Sequence, residues 1–494
     1  MTRYRSADSL RSYLVAMVVG WLALLASASL SAAEPAKKQM LVGAYAIDIS
    51  PLEFPVIVNG GMTERTANSL VDHLHARCFV LSDGTETIAI AVIDNCMVPR
   101  DLLDEAKRMA SEATGIKPNR MLMSSTHTHS APSVHGCLGS GVDEPYRRML
   151  PAQIAKGIVE AKKRMIPARI GWAVGRDENN VACRHWVMEP GAAPTNPFGG
   201  TKDDTVMMHP GHDNPKKIRA TGEPDPEIPI VSFTTTDGKP LAVLTNYSLH
   251  YVGAPAISAD YFADVCDEMT KLLGASEIPT FMAAHSNATS GDMWLMDYTK
   301  PKRAMFDKLS VAKEVAAAAH AAMANIEYFD WVPIVMDEQL LNVDVRMPSA
   351  QEVTVAKEFM KSFEGRLPKN VPEVYARETV LLSEMPPSRE LKLQAIRLGD
   401  LGIASIPNET YSSTGLAIKK ASPIKTTMCI ELANGCEGYI PPEELHPLGG
   451  YTTWRARTAC LVPKAEGMIR AELVKMLTKI ASQRTNELSV ASAK

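Results

Sequence analysis

The amino-acid sequence predicts an α/β protein with mixed or parallel sheets, arranged as two lobes that share one cleft. Three observations carry this expectation. The segment 85–130 reads as strand, helix, strand; four later apolar runs each stop on polar residues; and 494 residues suffice to bury two lobes.

At the amino terminus, Arg3, Arg5 and Arg11 accompany the apolar stretch "YLVAMVVGWLALLA" and the small-residue segment "SASLSAAEP". Charge, apolar run and small residues in that order make 1–33 a signal peptide, with cutting expected after Ala33. The apolar run is shorter than the roughly 20 residues that a bilayer-spanning helix needs, so a secreted or periplasmic mature protein is expected. The formal net charge of −4 leaves no basic footprint, which argues against nucleic acid as a partner. Eight cysteines are scattered without a CxxC pair. Export would permit disulfides among them, whereas a zinc ribbon would need closely spaced pairs.

One catalytic domain is expected over 34–482, followed by a polar tail, 483–494. Within it "TETIAIAVIDNCMV" (85–98) has the unbroken apolar character of a buried strand, "RDLLDEAKRMASEATG" (100–115) has helical spacing and a terminal glycine, and "NRMLMSSTHTHS" (119–130) returns to strand character. Ligands of open parallel sheets gather beyond the carboxyl ends of strands, where "THTH" lies. The later apolar runs are "LAVLTNYSLH", ending at His250, "IPTFMAAHSNATSGD", ending at Asp292, "LGIASIPNET", with Glu409, and "TMCIELANGCEGY", ending at Tyr439. Their polar tips could converge on one cleft. Helical spacing recurs at about 262–274, 303–325, 351–362 and 465–480. Residues 189–228, rich in Pro, Gly and Asp, read as one long loop, a lid or a disordered segment.

His127 and His129 stand two apart, so on a strand both would point to one face. The pattern fits a metal site and fits two surface histidines equally. His250 alone reads as a core or cap residue, Glu409 as a loop carboxylate and Tyr439 as a packing aromatic. His209 and His212 in "MHPGHD" form a rival pair, better read as lid or structural histidines because no strand scaffold positions them. "GGYTTWRART" (449–458) is either a substrate wall or a packed aromatic turn.

Taken together, "GAYAIDISP", "LHARCFVLSDG", "SSTHTHSAPS", "NYSLH", "ISADYFADV", "SNATSGD", "PNET" and "ANGCEGYIPPEE" run in that order from 43 to 444. In this series the chain resembles the neutral (alkaline, non-lysosomal) ceramidase family, specifically its amino-terminal catalytic domain. The resemblance implies two lobes around one metal cleft holding a single zinc ion, and a hydrolase that cleaves the amide of an N-acyl sphingoid base with zinc-activated water. By motif position it implies His127, His250, Glu409 and Tyr439 as the zinc ligands. His129 becomes the candidate proton shuttle, and Arg184, in "NNVACRHW", the candidate contact to the oxyanion or a substrate hydroxyl.

The chain departs from the family at its Gly-Asp-x-Ser-Pro-Asn motif, where it reads "GDMWLM" and Trp294 stands in the serine position. Ser290, four residues earlier, is the candidate substitute hydroxyl. The family's carboxy-terminal β-sandwich does not fit into the residues after 445. A lipid-like N-acyl substrate would require an apolar path and a transient contact with a membrane surface. Trp294 keeps two other readings open: a zinc hydrolase of the same architecture with a different amide or ester substrate, or a catalytically silent metal-binding protein.

Overall fold

Runs of Val, Ile, Ala and Leu without helical period build one eight-stranded sheet. In chain order its strands are β1 (Met40–Asp48), β2 (His75–Ser82), β3 (Thr87–Ile93), β4 (Met121–Ser125), β5 (Ile166–Arg176), β6 (Glu227–Thr235), β7 (Pro240–Tyr247) and β8 (Met282–Asn287). They lie in the order β8-β7-β6-β5-β1-β2-β3-β4. The computed structural model describes residues 38–199, 204–302 and 306–487, so the expected signal peptide, 1–33, lies outside the described residues.

Only the two edge pairs are parallel, β3 with β4 and β7 with β8; the pairs between them are antiparallel. The expected strand–helix–strand unit is therefore present at β3, Arg100–Thr114 and β4, and a second one runs through β7, Asp260–Leu272 and β8. Within the ladder β4 runs opposite to β7. Each step between neighbouring strands rotates their direction by roughly 20–25°, and the six steps from β7 to β4 add up to roughly 120–150°. The twist thus swings the carboxyl ends of β4 and β7 toward one place, and β8 comes to lie beside β2, β3 and β4.

A second sheet holds β9 (Ile334–Asp344), β10 (Ser388–Leu398), β11 (Leu401–Ser405) and β12 (Thr426–Ile430) in that order, with β11 and β12 parallel around the helix Ser412–Ala421. Its Ile396, Leu398, Ile403 and Met428 pack on Val42, Phe79, Ile90 and Phe233 of the first sheet. Helices Arg100–Thr114 and Glu144–Lys163 cover part of the opposite face of the large sheet, Asp260–Leu272 and Lys308–Met323 cover another part, and Ala465–Ala481 covers the outer face of the small sheet. The expected pair of lobes is thus a pair of sheets packed face to face between helical layers. All five expected helices are present among the described residues; Glu144–Lys163, Val371–Ser383 and Ser412–Ala421 are additional.

The residues that follow β12 tie both edges of the large sheet together. Glu431 N–H donates to Asn287 O at 3.3 Å, at the end of β8, while Ser125 N–H donates to Leu432 O at 3.1 Å and Asn434 N–H to Met123 O at 2.7 Å, on β4. Ala433 N–H donates to Ile406 O at 3.0 Å, which anchors the same four residues to the small sheet.

Residues 189–228 are not one loop. Val206–Met208 and Lys217–Ala220 pair antiparallel with the two sides of His185–Met188. Strands of three or four residues are too short to leave a period in the sequence, and residues 200–203 lie outside the described residues. Of the expected polar tail, Arg484 ion-pairs with Asp83 and with Glu487, and 488–494 lie outside the description. All eight cysteines are buried and free. Among the described residues no helix is long and apolar enough to cross a membrane.

Gly43 of β1 marks the tightest approach of a helix to the large sheet: a Cβ there would lie 2.0 Å from the carbonyl oxygen of Ala161 in Glu144–Lys163. Gly43→Ala should cost about 1–3 kcal/mol of stability through forced separation of the layers. Thermal unfolding followed by circular dichroism should show a lowered Tm for it, whereas Gly467→Ala, where a Cβ meets open space on a helix, should leave Tm unchanged or raise it.

Candidate metal centre

β4 is buried along its whole length, and the chain leaves it at Thr126. His127 then adopts a left-handed backbone with φ of 73°, a conformation that costs a non-glycine residue of order 1–3 kcal/mol and is held by its N–H on Asn95 O at 2.9 Å. The kink breaks the strand's alternation. Instead of lying side by side, the rings of His127 and His129 meet edge to face, with their Nε2 atoms 3.2 Å apart.

His250, just beyond β7, brings its Nε2 to 3.0 Å from His127 Nε2. Glu409 and Tyr439 are partners in a short parallel pairing that extends from the small sheet. Glu409 Oε2 lies 3.3 Å from His127 Nε2 and 3.9 Å from His250 Nε2. Those two histidines and Glu409 form a cluster with metal-ligand spacing, and all three are buried.

The hydrogen bonds behind these rings decide what the cluster can hold. His127 Nδ1 lies 2.7 Å from Cys96 O and His250 Nδ1 lies 3.1 Å from Ser290 O. A carbonyl only accepts, so each Nδ1 carries the proton and each Nε2 presents a lone pair. Glu409 Oε2 is buried without a donor. Two lone pairs and a carboxylate oxygen thus face one another, an arrangement that needs a cation among them. Donors about 2.0–2.2 Å from a tetrahedral metal ion lie about 3.3–3.6 Å from one another, close to the spacing found. The residues present fit a divalent metal ion. Tyr439 supplies a phenol beside them, and a second grouping of Cys96, His127 and His129 shares His127.

Without a cation, a proton takes its place. Burial opposes charge on His127, but the Glu409 carboxylate raises its pKa well above the ordinary value. Burial also opposes ionisation of Glu409, yet the facing His127 holds its carboxyl below the usual range. Burial, Arg184 and His127 push His250 well below the ordinary imidazole value, and burial with the same two cations does so for His129. Burial and Glu409 push the Tyr439 phenol well up.

The cluster opens into a cavity of about 230 Å³ lined also by His129, Arg184, His209, Tyr251, Tyr439 and Tyr451. Arg184 is buried; its Nη2 donates to Gly291 O at 2.8 Å and to His250 Nε2 at 3.2 Å, and its Nε–H is buried without an acceptor. The guanidinium thus lines the cavity beside the candidate ligands. His129 stacks on Tyr251 with ring centroids 3.8 Å apart.

Other sequence candidates take different places. Ser290 is fully buried behind His250 and does not line the cavity; its Oγ donates to Glu431 at 2.6 Å. Trp294 does not line it either. Its indole N–H donates to Tyr251 O at 2.8 Å and its ring meets His209 edge to face, so it braces two wall residues. His209 enters the wall, with Nε2 3.4 Å from Arg184 Nη1, while His212 turns to Lys300 O; no joint metal site brings that pair together among the described residues. From "GGYTTWRART", Tyr451 reaches the cavity, but Trp454, Arg455 and Arg457 bond to Asp204, Glu352 and Glu378. Sequence reasoning missed Glu431 and Tyr251. An acidic residue closing the apolar run "TMCI" was a signal for Glu431; Tyr251 carried none beyond its adjacency to His250.

No protein-family model matches the chain, and no curated protein does. Solved structures do. A crystal structure described as neutral ceramidase from Pseudomonas aeruginosa superposes with a TM-score of 0.66 at 16% identity, over 90% of this chain and 75% of that one. A structure described as ceramidase complexed with C2 gives 0.65 at 16% identity, over 90% of this chain and 76% of that one. The chain shares the fold of these ceramidases.

Equilibrium titration with Zn2+ against a chromophoric chelator should show about one tight site. His127→Ala, His250→Ala and Glu409→Ala should each weaken it by more than about 100-fold, since each deletes a ligand atom, whereas His129→Ala should keep it. Undiminished binding in all three would remove the cluster as the site.

Proposed function

We propose that the chain is an exported, zinc-dependent amidohydrolase that cleaves the amide of an N-acyl lipid, meeting its substrate through a transient contact with a membrane surface. The observation that carries the reading is the convergence of two imidazole nitrogens and a carboxylate oxygen at metal-ligand spacing, beside a buried guanidinium, on a fold shared with ceramidases. Export rests on the charge and apolar pattern of 1–33.

His127, His250 and Glu409 would hold zinc, with Tyr439 as the fourth group; imidazole and oxygen donors suit that ion. When bound, zinc supplies Lewis-acid polarisation of a carbonyl and an acidified water with pKa near about 7. The remaining steps belong to the chain. The guanidinium of Arg184 lines the cavity beside His250 and can meet the carbonyl oxygen as negative charge develops. His129, an uncharged imidazole stacked on Tyr251 and so fixed in orientation, can take a proton at Nε2 from the attacking water and pass it to the departing amine.

An apolar chain on the substrate has somewhere to go. A groove of about 400 Å³ lined by Phe198, Val355, Phe359, Pro372 and Ala376 shares Tyr375 with the metal cavity. Val355 is 62% exposed, Phe198 44% and Phe359 42%, an unusual clustering of large apolar surface in water. A second reading, a different amide or an ester as substrate, draws on Trp294, which stands where the resembled family has a serine and packs behind His209 of the wall.

Zinc-loaded protein should release fatty acid from long-chain N-acyl sphingoid bases. Arg184→Met should lower kcat by about 10²–10³ with the fold intact. Phe359→Asp should raise KM for a long-chain amide about tenfold, the loss of roughly one apolar contact, and leave a short soluble amide unaffected. Hydrolysis of simple esters with no release from any N-acyl amide would favour the second reading.

A further inference from the structure

Glu431 is a fully buried acid that does not line the cavity, and burial pushes its pKa up to about 8. Its Oε1 accepts from Ser290 Oγ at 2.6 Å and from Asn287 Nδ2 at 3.0 Å; its Oε2 accepts from the backbone N–H of Thr410 at 2.7 Å. Ser290 in turn sets its Oγ and its carbonyl oxygen each 3.1 Å from His250 Nδ1, and Thr410 directly follows Glu409. One oxygen of Glu431 therefore grips the residue behind one candidate ligand, and the other oxygen grips the peptide beside a second.

We propose that Glu431 is a positioning residue that sets the separation of His250 and Glu409 and the tautomer of His250, and thereby tunes the affinity of the metal site. The proposal rests on the reading of His127, His250 and Glu409 as that site. Two physical arguments support it. A buried carboxylate is costly compared with a well-packed apolar side chain, so its retention points to a task other than stability. And the task is one that an acid alone performs. The Thr410 N–H and the Asn287 Nδ2–H can only donate, and one oxygen of the acid accepts from each. With Glu431 ionised, Ser290 Oγ spends its only proton on it and has only lone pairs to turn toward His250 Nδ1; together with the Ser290 carbonyl this holds the proton on Nδ1 and leaves Nε2 as the acceptor toward the site. A glutamine would place an NH₂ against either the Thr410 N–H or the Ser290 and Asn287 donors.

The test is zinc affinity by chelator competition together with the visible absorption of the Co2+-substituted protein, measured on the full chain. Glu431→Gln should weaken zinc binding about 10–100-fold and alter the Co2+ bands while far-ultraviolet circular dichroism stays unchanged. Ser290→Ala should move both readouts in the same direction by less, because the Ser290 carbonyl remains, and the double variant should lose little beyond Glu431→Gln alone. If Glu431→Gln fails to fold, Ser290→Ala decides by the same two readouts. Wild-type affinity and an unchanged Co2+ spectrum in the folded variant would overturn the positioning role while leaving the metal site standing. A wild-type protein that binds neither ion would overturn both.

Discussion

The closure made by Glu431, Leu432, Ala433 and Asn434 is the constraint on which the site depends. The candidate ligands arrive from strand ends far apart in the chain: His127 after β4, His250 after β7, and Glu409 after β11. Twist turns β4 and β7 toward similar directions and the sheet curls until β8 lies beside β4, but nothing in a twisted sheet fixes the distance between its two edges. Backbone hydrogen bonds from residues 431–434 to Asn287, Ser125 and Met123 fix it, and the bond to Ile406 fixes the small sheet against both. Hydrogen bonds buried between two sheets are expensive to leave unmade, so the closure is rigid.

That rigidity makes an otherwise unfavourable electrostatic arrangement possible. Two imidazole lone pairs and a carboxylate oxygen within 3.0–3.9 Å of one another would relax apart if the backbone behind them could yield. The carbonyls of Cys96 and Ser290 set the tautomers from behind, and the left-handed backbone of His127 aims its ring. The strain and the repulsion are offset where a cation binds, so the site is prepared for one. Arg184 adds a positive charge of its own on the open side, where an amide carbonyl could approach.

Much of this was legible in the sequence, and the parts that were not share a physical reason. Short apolar runs ending on His, Glu and Tyr marked the strand ends that meet at the site, because burial on both faces leaves an unbroken apolar signature. The helix Glu144–Lys163 went unread because Pro151 and Gly157 interrupt its pattern, although Asp143 caps it and Pro145 opens its first turn. The strands Val206–Met208 and Lys217–Ala220 are too short to show a period. The roles of Ser290, Trp294 and Glu431 depend on which side of a ring each one approaches, and residue order does not encode that. Ser290 looked like a hydroxyl for the reaction; it lies on the Nδ1 side of His250, away from the cavity.

The central claim is that His127, His250 and Glu409 share one metal ion through nitrogen and oxygen atoms alone. X-ray absorption spectroscopy of the zinc-loaded protein at the zinc edge tests it most directly. The expected first shell is nitrogen and oxygen at about 2.0–2.2 Å with the outer-shell scattering of two imidazoles. A sulfur shell at about 2.3 Å would place the metal on the Cys96 side of His127 instead, and would contradict the account.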